Sequence, residues 1–396
     1  MTTLGIELNS TLLENHVRIA GQRWRSPLAT FRTGRIHPRP EQSALRESLR
    51  ALLAKWGDIA QVRQASSTER GYSVSLWRAL VDDMSVTALA ASEDRGGLGY
   101  GVAELATILE ECGRALVCEP VYNSAVLGVQ ALLLTRPGDD DLLLAGVLAG
   151  DLLATVSALD TTTDDLRAVR TSAGWIVDGT VTHLVCGGTA DVIVASARCS
   201  DGRRLFAVRP GEDCLRTERV VLDPTRRQAD VALRAAPAVV LAAPEGTATA
   251  ATRLRDLATL ALASENTGII DMLLETTVSY VSTRRQFDRA IGSFQAVKHR
   301  LADLLVLLER ARSASRYAAA AYAEDPDAAR LAVAVAGAVC TDAAVQTAAE
   351  AVQLHGGIGF TWEHPAHSYF RRVMGNEAAQ GGSRAHRDTI AALVGL

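Results

Sequence analysis

Between residues 152 and 242 the hydrophobic pattern changes its period, and no other feature constrains the fold as much. In this window the apolar residues fall in short runs, Trp175-Ile176-Val177, Val192-Ile193-Val194 and Leu205-Phe206-Ala207-Val208. The pairs Asp178-Gly179 and Asp201-Gly202 lie among them. Asp-Gly between β-prone runs predicts hairpins, because both residues accept the left-handed backbone that a tight turn needs. The runs follow one another too closely for helices to intervene, which argues against a Rossmann-type parallel sheet.

On either side the period is helical. Leu45, Leu49, Leu52 and Leu53 recur three and four residues apart behind a possible cap at Ser43, and Val102, Leu105, Ile108, Leu109 and Cys112 repeat the pattern. After residue 245 the text is Ala-rich and predicts helices over 253–283, 294–322 and 328–354, a shorter one from Pro365 into the 370s, and an amphipathic piece over 389–393. Small Ala faces let helices approach closely, so a bundle is expected. The predicted divisions are residues 1–40, an extension left unassigned apart from a possible short helix over 12–20; 41–150, helical; 151–243, β; and 244–396, a helical bundle.

Composition bounds the function classes. Over 396 residues, Lys+Arg 41 against Asp+Glu 45 gives a net charge of −4, with no block of like charges. Nucleic-acid binding and polybasic membrane attachment therefore lose their electrostatic warrant. No apolar run reaches the length of a membrane span, no basic-then-apolar leader opens the chain, and the six cysteines lack CxxC spacing. A cytoplasmic protein without disulfides or a zinc knuckle is expected.

Several local motifs read more plainly as structure. Gly96-Gly97-Leu98-Gly99 with Gly101 departs from G-x-G-x-x-G spacing, so a tight turn is preferred to a phosphate loop. His355-Gly356-Gly357 resembles a hydrolase oxyanion loop, but no G-x-S-x-G elbow accompanies it. His364 and His367 stand three apart without the H-E-x-x-H order of a zinc helix. The strongest signal is Arg284-Arg285-Gln286-Phe287-Asp288-Arg289 followed by Phe294-Gln295, which joins two long helices. Arginine can grip a diphosphate bidentately, an aromatic can cover a flat ring, and a glutamine can hydrogen-bond a heterocycle.

With these residues in view, the segment from Tyr280 through Arg284, Gln286, Phe287, Phe294 and Gln295 to Asp303 resembles the C-terminal signature of acyl-CoA dehydrogenases. The stretch from Ala351 through Gln353, Gly356, Gly357 and His364 to Pro365 resembles a second signature of that family, and residues 68–135 resemble its N-terminal helical domain. The resemblance implies an α+β multidomain fold: an N-terminal helical domain, a central β-barrel-like domain and a C-terminal four-helix bundle. It implies FAD, with Arg284, Gln286, Phe287, Phe294 and Gln295 meeting the adenosine diphosphate half from one subunit, and Gln353, Gly356 and Gly357 closing over it from another. Asp288 stands where the family usually has Gly. At the flavin, a Trp-x-Thr pair is matched by His183 and Val185, and a Thr-Glu-Pro-type loop by residues 157–163; Val185 has no hydroxyl to offer.

The implied reaction removes the proton α to a thioester carbonyl with a carboxylate base, while the flavin takes the β-hydrogen as hydride. The family's usual base lies nine residues after an Arg, before Gly-Thr. Nine residues after Arg371 stands Gln380, followed by Gly381-Gly382; the alternative family position falls on Ala258. A neutral amide is no base. Glu377, one helical turn before Gln380, and Glu265, two turns along from Ala258, are the substitute carboxylates, and spacing does not choose between them. Three readings stay open: an FAD-dependent dehydrogenase of an acyl thioester, on CoA or a carrier protein, with an atypical base; a catalytically silent partner subunit of a heteromeric dehydrogenase; and a related flavoenzyme with oxygenating or biosynthetic chemistry. A dimer or tetramer is expected, of like or unlike chains in the two enzyme readings and of unlike chains in the partner-subunit reading, and the dehydrogenase reading allows an electron-transfer partner.

Overall fold

The computed structural model describes residues 18–19, 22–23, 38–135, 141–157, 165–211, 214–361 and 363–396. Met1–Arg35 and Ile36–Leu396 form two separate units. In the first, Arg18–Ile19 (β1) pairs antiparallel with Gln22–Arg23 (β2). The helix expected over 12–20 is thus contradicted at residues 18–19, whose backbone groups bond across a turn rather than along a helix; residues 12–17 and 20 lie outside the described residues.

The second unit begins with four helices, Pro40–Lys55 (α1), Ile59–Ser67 (α2), Val74–Asp82 (α3) and Val102–Arg114 (α4). Ser43 does not cap α1. Pro40 occupies the first turn instead, where its missing N–H costs nothing, and Arg39 is the cap residue. The Gly96–Gly101 segment is a tight turn whose amides are spent locally: those of Gly96, Gly97 and Gly99 donate to the carbonyls of Glu93, Ser92 and Ala91. A wide π-type turn at Val121–Gly128 leads into Val129–Leu132 (α5), and Asp141–Leu148 (α6) closes this half.

The strands are Ala154–Val156 (β3), Arg167–Thr171 (β4), Gly174–Val185 (β5), Val192–Cys199 (β6), Gly202–Val208 (β7), Leu215–Arg219 (β8) and Gln228–Ala242 (β9). Strands β6, β4, β5, β9 and β7 pair in that order, and β7 returns to β6, so the sheet closes on itself as a small barrel. The first four residues of β6, Val192–Ala195, are all apolar because both faces are covered: Ile193, Ala195 and Ala197 point into the barrel with Val177 and Phe206, whereas Val192 and Val194 pack with Leu143 and Leu144 of α6. Asp201-Gly202 does belong to a hairpin, with Cys199 opposite Gly202. Asp178-Gly179 does not. It lies inside β5 at a break in register with β9, where Gly179 takes φ +127° and Asp178 Oδ1 accepts the Ala235 amide. A bulge uses the same left-handed freedom as a turn, so the dipeptide alone does not separate them.

Pro244–Thr283 (α7), Gln295–Glu324 (α8), Arg330–His355 (α9), Ala366–Ala379 (α10) and Gly382–Val394 (α11) complete the fold. Helix α7 starts well before the expected residue 253, again behind a first-turn Pro, and α11 is longer than the expected 389–393. Two stretches, Pro244–Thr283 and Arg330–Phe360, are long and apolar enough to cross a membrane, but 83% and 61% of their most apolar windows are buried within the fold, as expected of core helices.

Candidate active site

The centre of the molecule is set by how closely α4 and α7 cross. A Cβ placed on Gly268 would sit 1.7 Å from the Glu110 carbonyl oxygen, and one on Gly113 would sit 2.1 Å from that of Glu265. Two backbones in contact leave Glu265, 3% exposed, facing a polar cluster from three other segments. Arg226 Nη2 and Arg372 Nη1 each donate to its Oε1 at 2.7 Å, and Asn376 Nδ2 donates to Oε2 at 2.8 Å. Arg372, fully buried on α10, also reaches Asp223 at 2.7 Å, the Thr225 hydroxyl at 2.6 Å and the Val117 carbonyl at 3.1 Å. Burial pushes the Glu265 carboxyl up, but Arg226 and Arg372 outweigh it and hold the group below the ordinary carboxylate range. Glu265 is therefore an ionised anchor with both oxygens engaged, which is a poor disposition for accepting a substrate proton.

Gln380 is the residue that ends α10, and its Oε1 accepts the Thr259 hydroxyl of α7 at 2.8 Å. Glu377 lies one turn earlier on α10 and is half-buried. Beside Glu265, Tyr122, Cys186 and Arg226 the remaining cavity is about 30 Å³, room for about one water. The Arg226 guanidinium lies over the Tyr122 ring, 5.0 Å from its centroid, on the wall of that space.

At the end of β5 the backbone of His183 is left-handed, φ +54°, with its amide donated to Asp230. The Val185 carbonyl accepts the Thr155 hydroxyl at 2.7 Å. The matching loop, residues 158–163, lies outside the described residues, although Ser157 is described and its amide donates to the Val194 carbonyl.

The cationic turn between α7 and α8 is a two-residue hairpin, Arg285–Gln286 (β10) against Arg289–Ala290 (β11), with Phe287 and Asp288 at its tip. Both tip residues are left-handed, φ +52° and +61°. Asp accepts that conformation readily, but a bulky Phe there is strained, and such strain concentrates at functional sites. Phe287 is 85% exposed, edge-on to Phe294 at 6.1 Å, and Arg289 lies over the Phe294 ring at 3.8 Å. Arg284 and Gln286 are exposed on the same hairpin, while Gln295 on the first turn of α8 meets His299 at 2.8 Å.

The second motif lies at the same end of the bundle. Tyr280, four residues before Arg284, stacks on His355 at 4.6 Å, and His355 leads directly into Gly356 and Gly357. A Cβ on either glycine would meet nothing within 4 Å, Gly356 takes φ +63°, and Gln353 is exposed. One chain thus carries both motifs side by side, with Tyr280 and His355 in contact between the two helix ends.

Residues 245–395 match the acyl-CoA dehydrogenase, C-terminal domain family. The chain is 34% identical over 339 residues to acyl-CoA dehydrogenase IpdE2 of Mycobacterium tuberculosis, covering 86% of this chain and 92% of that protein. The chain belongs to the acyl-CoA dehydrogenase family. Acyl-CoA dehydrogenase FadE27 of the same organism is 32% identical, over 81% of this chain and 88% of its own. Among solved structures, a chain of the ChsE4-ChsE5 complex from Mycobacterium tuberculosis superposes with a TM-score of 0.82 at 29% identity, covering 91% of this chain and 98% of that one. The Tcur3481-Tcur3483 steroid ACAD gives 0.80 at 27%, covering 90% and 98%.

This acyl-CoA dehydrogenase relative is a flavin oxidoreductase of an FAD-dependent family. The adenosine end of FAD fits this end of the bundle: an open glycine turn beside exposed arginine, aromatic and amide side chains. The buried cluster of Arg226, Arg372, Asp223 and Asn376 was missed by sequence reasoning. Its one trace is Arg372, a charge between the apolar Tyr369 and Val373 of a helix that buries both.

The same end of the bundle carries a pH prediction. His355 and His364 have ring centroids 4.0 Å apart; Nδ1 of His355 faces the Ala351 carbonyl at 2.7 Å, and Nδ1 of His364 accepts the Ala366 amide at 3.2 Å. Burial, then the neighbouring His355 and His367, depress His364 to about 4, and burial also lowers His355. Groups held neutral in the fold but basic when unfolded stabilise fully above the unfolded value of about 6.5 and lose that contribution as pH falls through the folded value. The thermal midpoint should fall as pH drops from about 6.5 to about 4, and His364→Phe should flatten the decline. A midpoint that is flat across that interval in the parent chain would contradict the assignment.

Proposed function

We propose that this chain serves the FAD-dependent α,β-dehydrogenation of an acyl thioester as the base-lacking subunit of a mixed assembly, acting in the cytoplasm. The observation that carries the reading is Gln380: the position expected to hold the base has an amide whose oxygen is already bonded to Thr259. The cavity of about 30 Å³ beside Glu265 supports it, because a small-molecule site is typically about 300–1,000 Å³. Arg284, Gln286, Phe287, Phe294 and Gln295, with Gln353, Gly356 and Gly357, would hold the adenosine diphosphate half of FAD. Arginine would pair the diphosphate, Phe287 would cover the flat base, and the glycine amides would approach the phosphates. His183 and Val185 would border the flavin, which supplies hydride acceptance when bound; Val185 leaves its reactive edge without a side-chain hydroxyl.

Two neighbours favour an assembly of unlike chains: ChsE4-ChsE5 is a complex of two proteins, and Tcur3481-Tcur3483 is a steroid ACAD. The steroid ACAD supports reading the acyl group as one on a bulky ring-bearing skeleton, and a tetramer is proposed as the active oligomer. The test is anaerobic mixing of the purified, FAD-loaded chain with a steroid side-chain acyl-CoA. The flavin absorbance should persist with this chain alone, and should bleach once a second family chain bearing Glu at the position of Gln380 is present. Rapid bleaching by this chain alone would overturn the reading.

A second reading rests on Glu377, a half-buried carboxylate with no ion pair among the described residues, one turn from Gln380. If the chain alone bleaches, Glu377→Gln should slow the reaction at least about 100-fold, the usual range for a general base. An unchanged rate would remove Glu377 as the base.

A further inference from the structure

A second cavity, of about 740 Å³, opens among α1, α2 and α3 and the segment after α4. It is of ligand size, whereas the space beside Glu265 admits about one water. Its apolar wall includes Leu53, Trp56, Val62, Ala65, Leu76 and Val117. It ends against Tyr72, Cys118 and Glu119, residues that also bound the small cavity, so a ligand here stops short of Glu265 and Gln380. Glu119 is buried at that end, its Oε1 accepts the Ser73 amide at 3.0 Å, and burial raises its pKa.

The rim carries cations without acidic partners. Arg70 bonds the Tyr72 hydroxyl at 3.3 Å, and Lys55 ends α1; no carboxylate among the described residues lies within ion-pair distance of either. Arg78 is already taken by Asp151, and the Glu69 carboxylate is exposed to solvent. An apolar-walled cavity edged by two cations that pair with no carboxylate among the described residues suits an amphiphile with one anionic head.

We propose that this cavity binds a small amphiphilic acid, its apolar body between α1, α2 and α3 and its anionic head at Arg70 and Lys55, without turning it over. The chain would then report on an apolar acid rather than process it. The site does not rest on the proposed role of Gln380, which does not line it, although the two cavities share Arg70, Tyr72, Cys118 and Glu119 as a common wall.

Calorimetric titration of the full chain with dodecanoate, and separately with 1-dodecanol, tests the proposal. One dodecanoate should bind per chain, and the alcohol more weakly. Ala65→Trp, which fills the cavity, should abolish both, and Val62→Phe, a smaller intrusion, should weaken both if the first variant folds poorly. Arg70→Gln should weaken dodecanoate about tenfold, equivalent to about 1.4 kcal/mol, and leave the alcohol unchanged. Absence of dodecanoate binding, binding unaffected by a well-folded cavity-filling variant, or equal loss of acid and alcohol in Arg70→Gln would each overturn it.

Discussion

Replacing Arg372 by Met should cost about 3–5 kcal/mol of stability, read as a lower denaturant midpoint with an unchanged slope. The side chain is fully buried and pairs with two carboxylates, Asp223 and Glu265, at 2.7 Å each. Methionine keeps much of the volume but removes every donor, so Asp223 loses its one ion-pair partner among the described residues and the Thr225 hydroxyl loses a partner. Arg226 and Asn376 still hold Glu265, which makes Asp223 the more exposed to loss. A change below about 1 kcal/mol would mean that the cluster contributes little beyond what packing supplies.

Gly268→Ala should be comparably damaging, about 3 kcal/mol, despite alanine's better helix propensity of about 1 kcal/mol. The added methyl would lie 1.7 Å from the Glu110 carbonyl oxygen and 2.9 Å from the Arg114 amide, both backbone atoms that a rotamer change does not move. Helices α4 and α7 would have to part, carrying Glu265 away from Arg226 and Arg372. Loss of stability should therefore come with a rise in the Glu265 pKa, measurable by carbonyl-labelled NMR. Full stability in Gly268→Ala would show that the crossing has slack, and the backbone contact would lose its assigned role.

Much of the architecture was legible because period is a local property. The helical spacing before residue 150 and after 245, the short β runs between them and the two signatures around Arg284 and Gly356 all lie within single segments. The errors were local ambiguities. Asp178-Gly179 reads like Asp201-Gly202, yet one is a bulge and the other part of a hairpin, because the partner strand β9 decides which. Ser43 reads as a cap, but Pro40 starts the helix a turn earlier.

The site was less legible, since its polarity depends on which charges meet. Spacing offered Glu265 and Glu377 as equal substitutes for a base. Only the fold shows Glu265 held by two arginines from segments about forty and one hundred residues away, and Glu377 half-buried without such a clamp. The amide at Gln380 was plain in the sequence; its bond to Thr259, 121 positions away, was not.

By itself the sequence determined the succession of helical, β and helical segments, the family, and the presence of Gln380 where a carboxylate is expected. Those depend on residue identity and short-range period, which the chain carries wherever it folds. The tertiary structure decided that the sheet closes into a barrel, that both signature segments share one end of one bundle, and that the centre is filled by paired charges while an apolar cavity stands open among the first helices. Each of these rests on contacts between distant segments, and no local pattern records which distant side chain arrives.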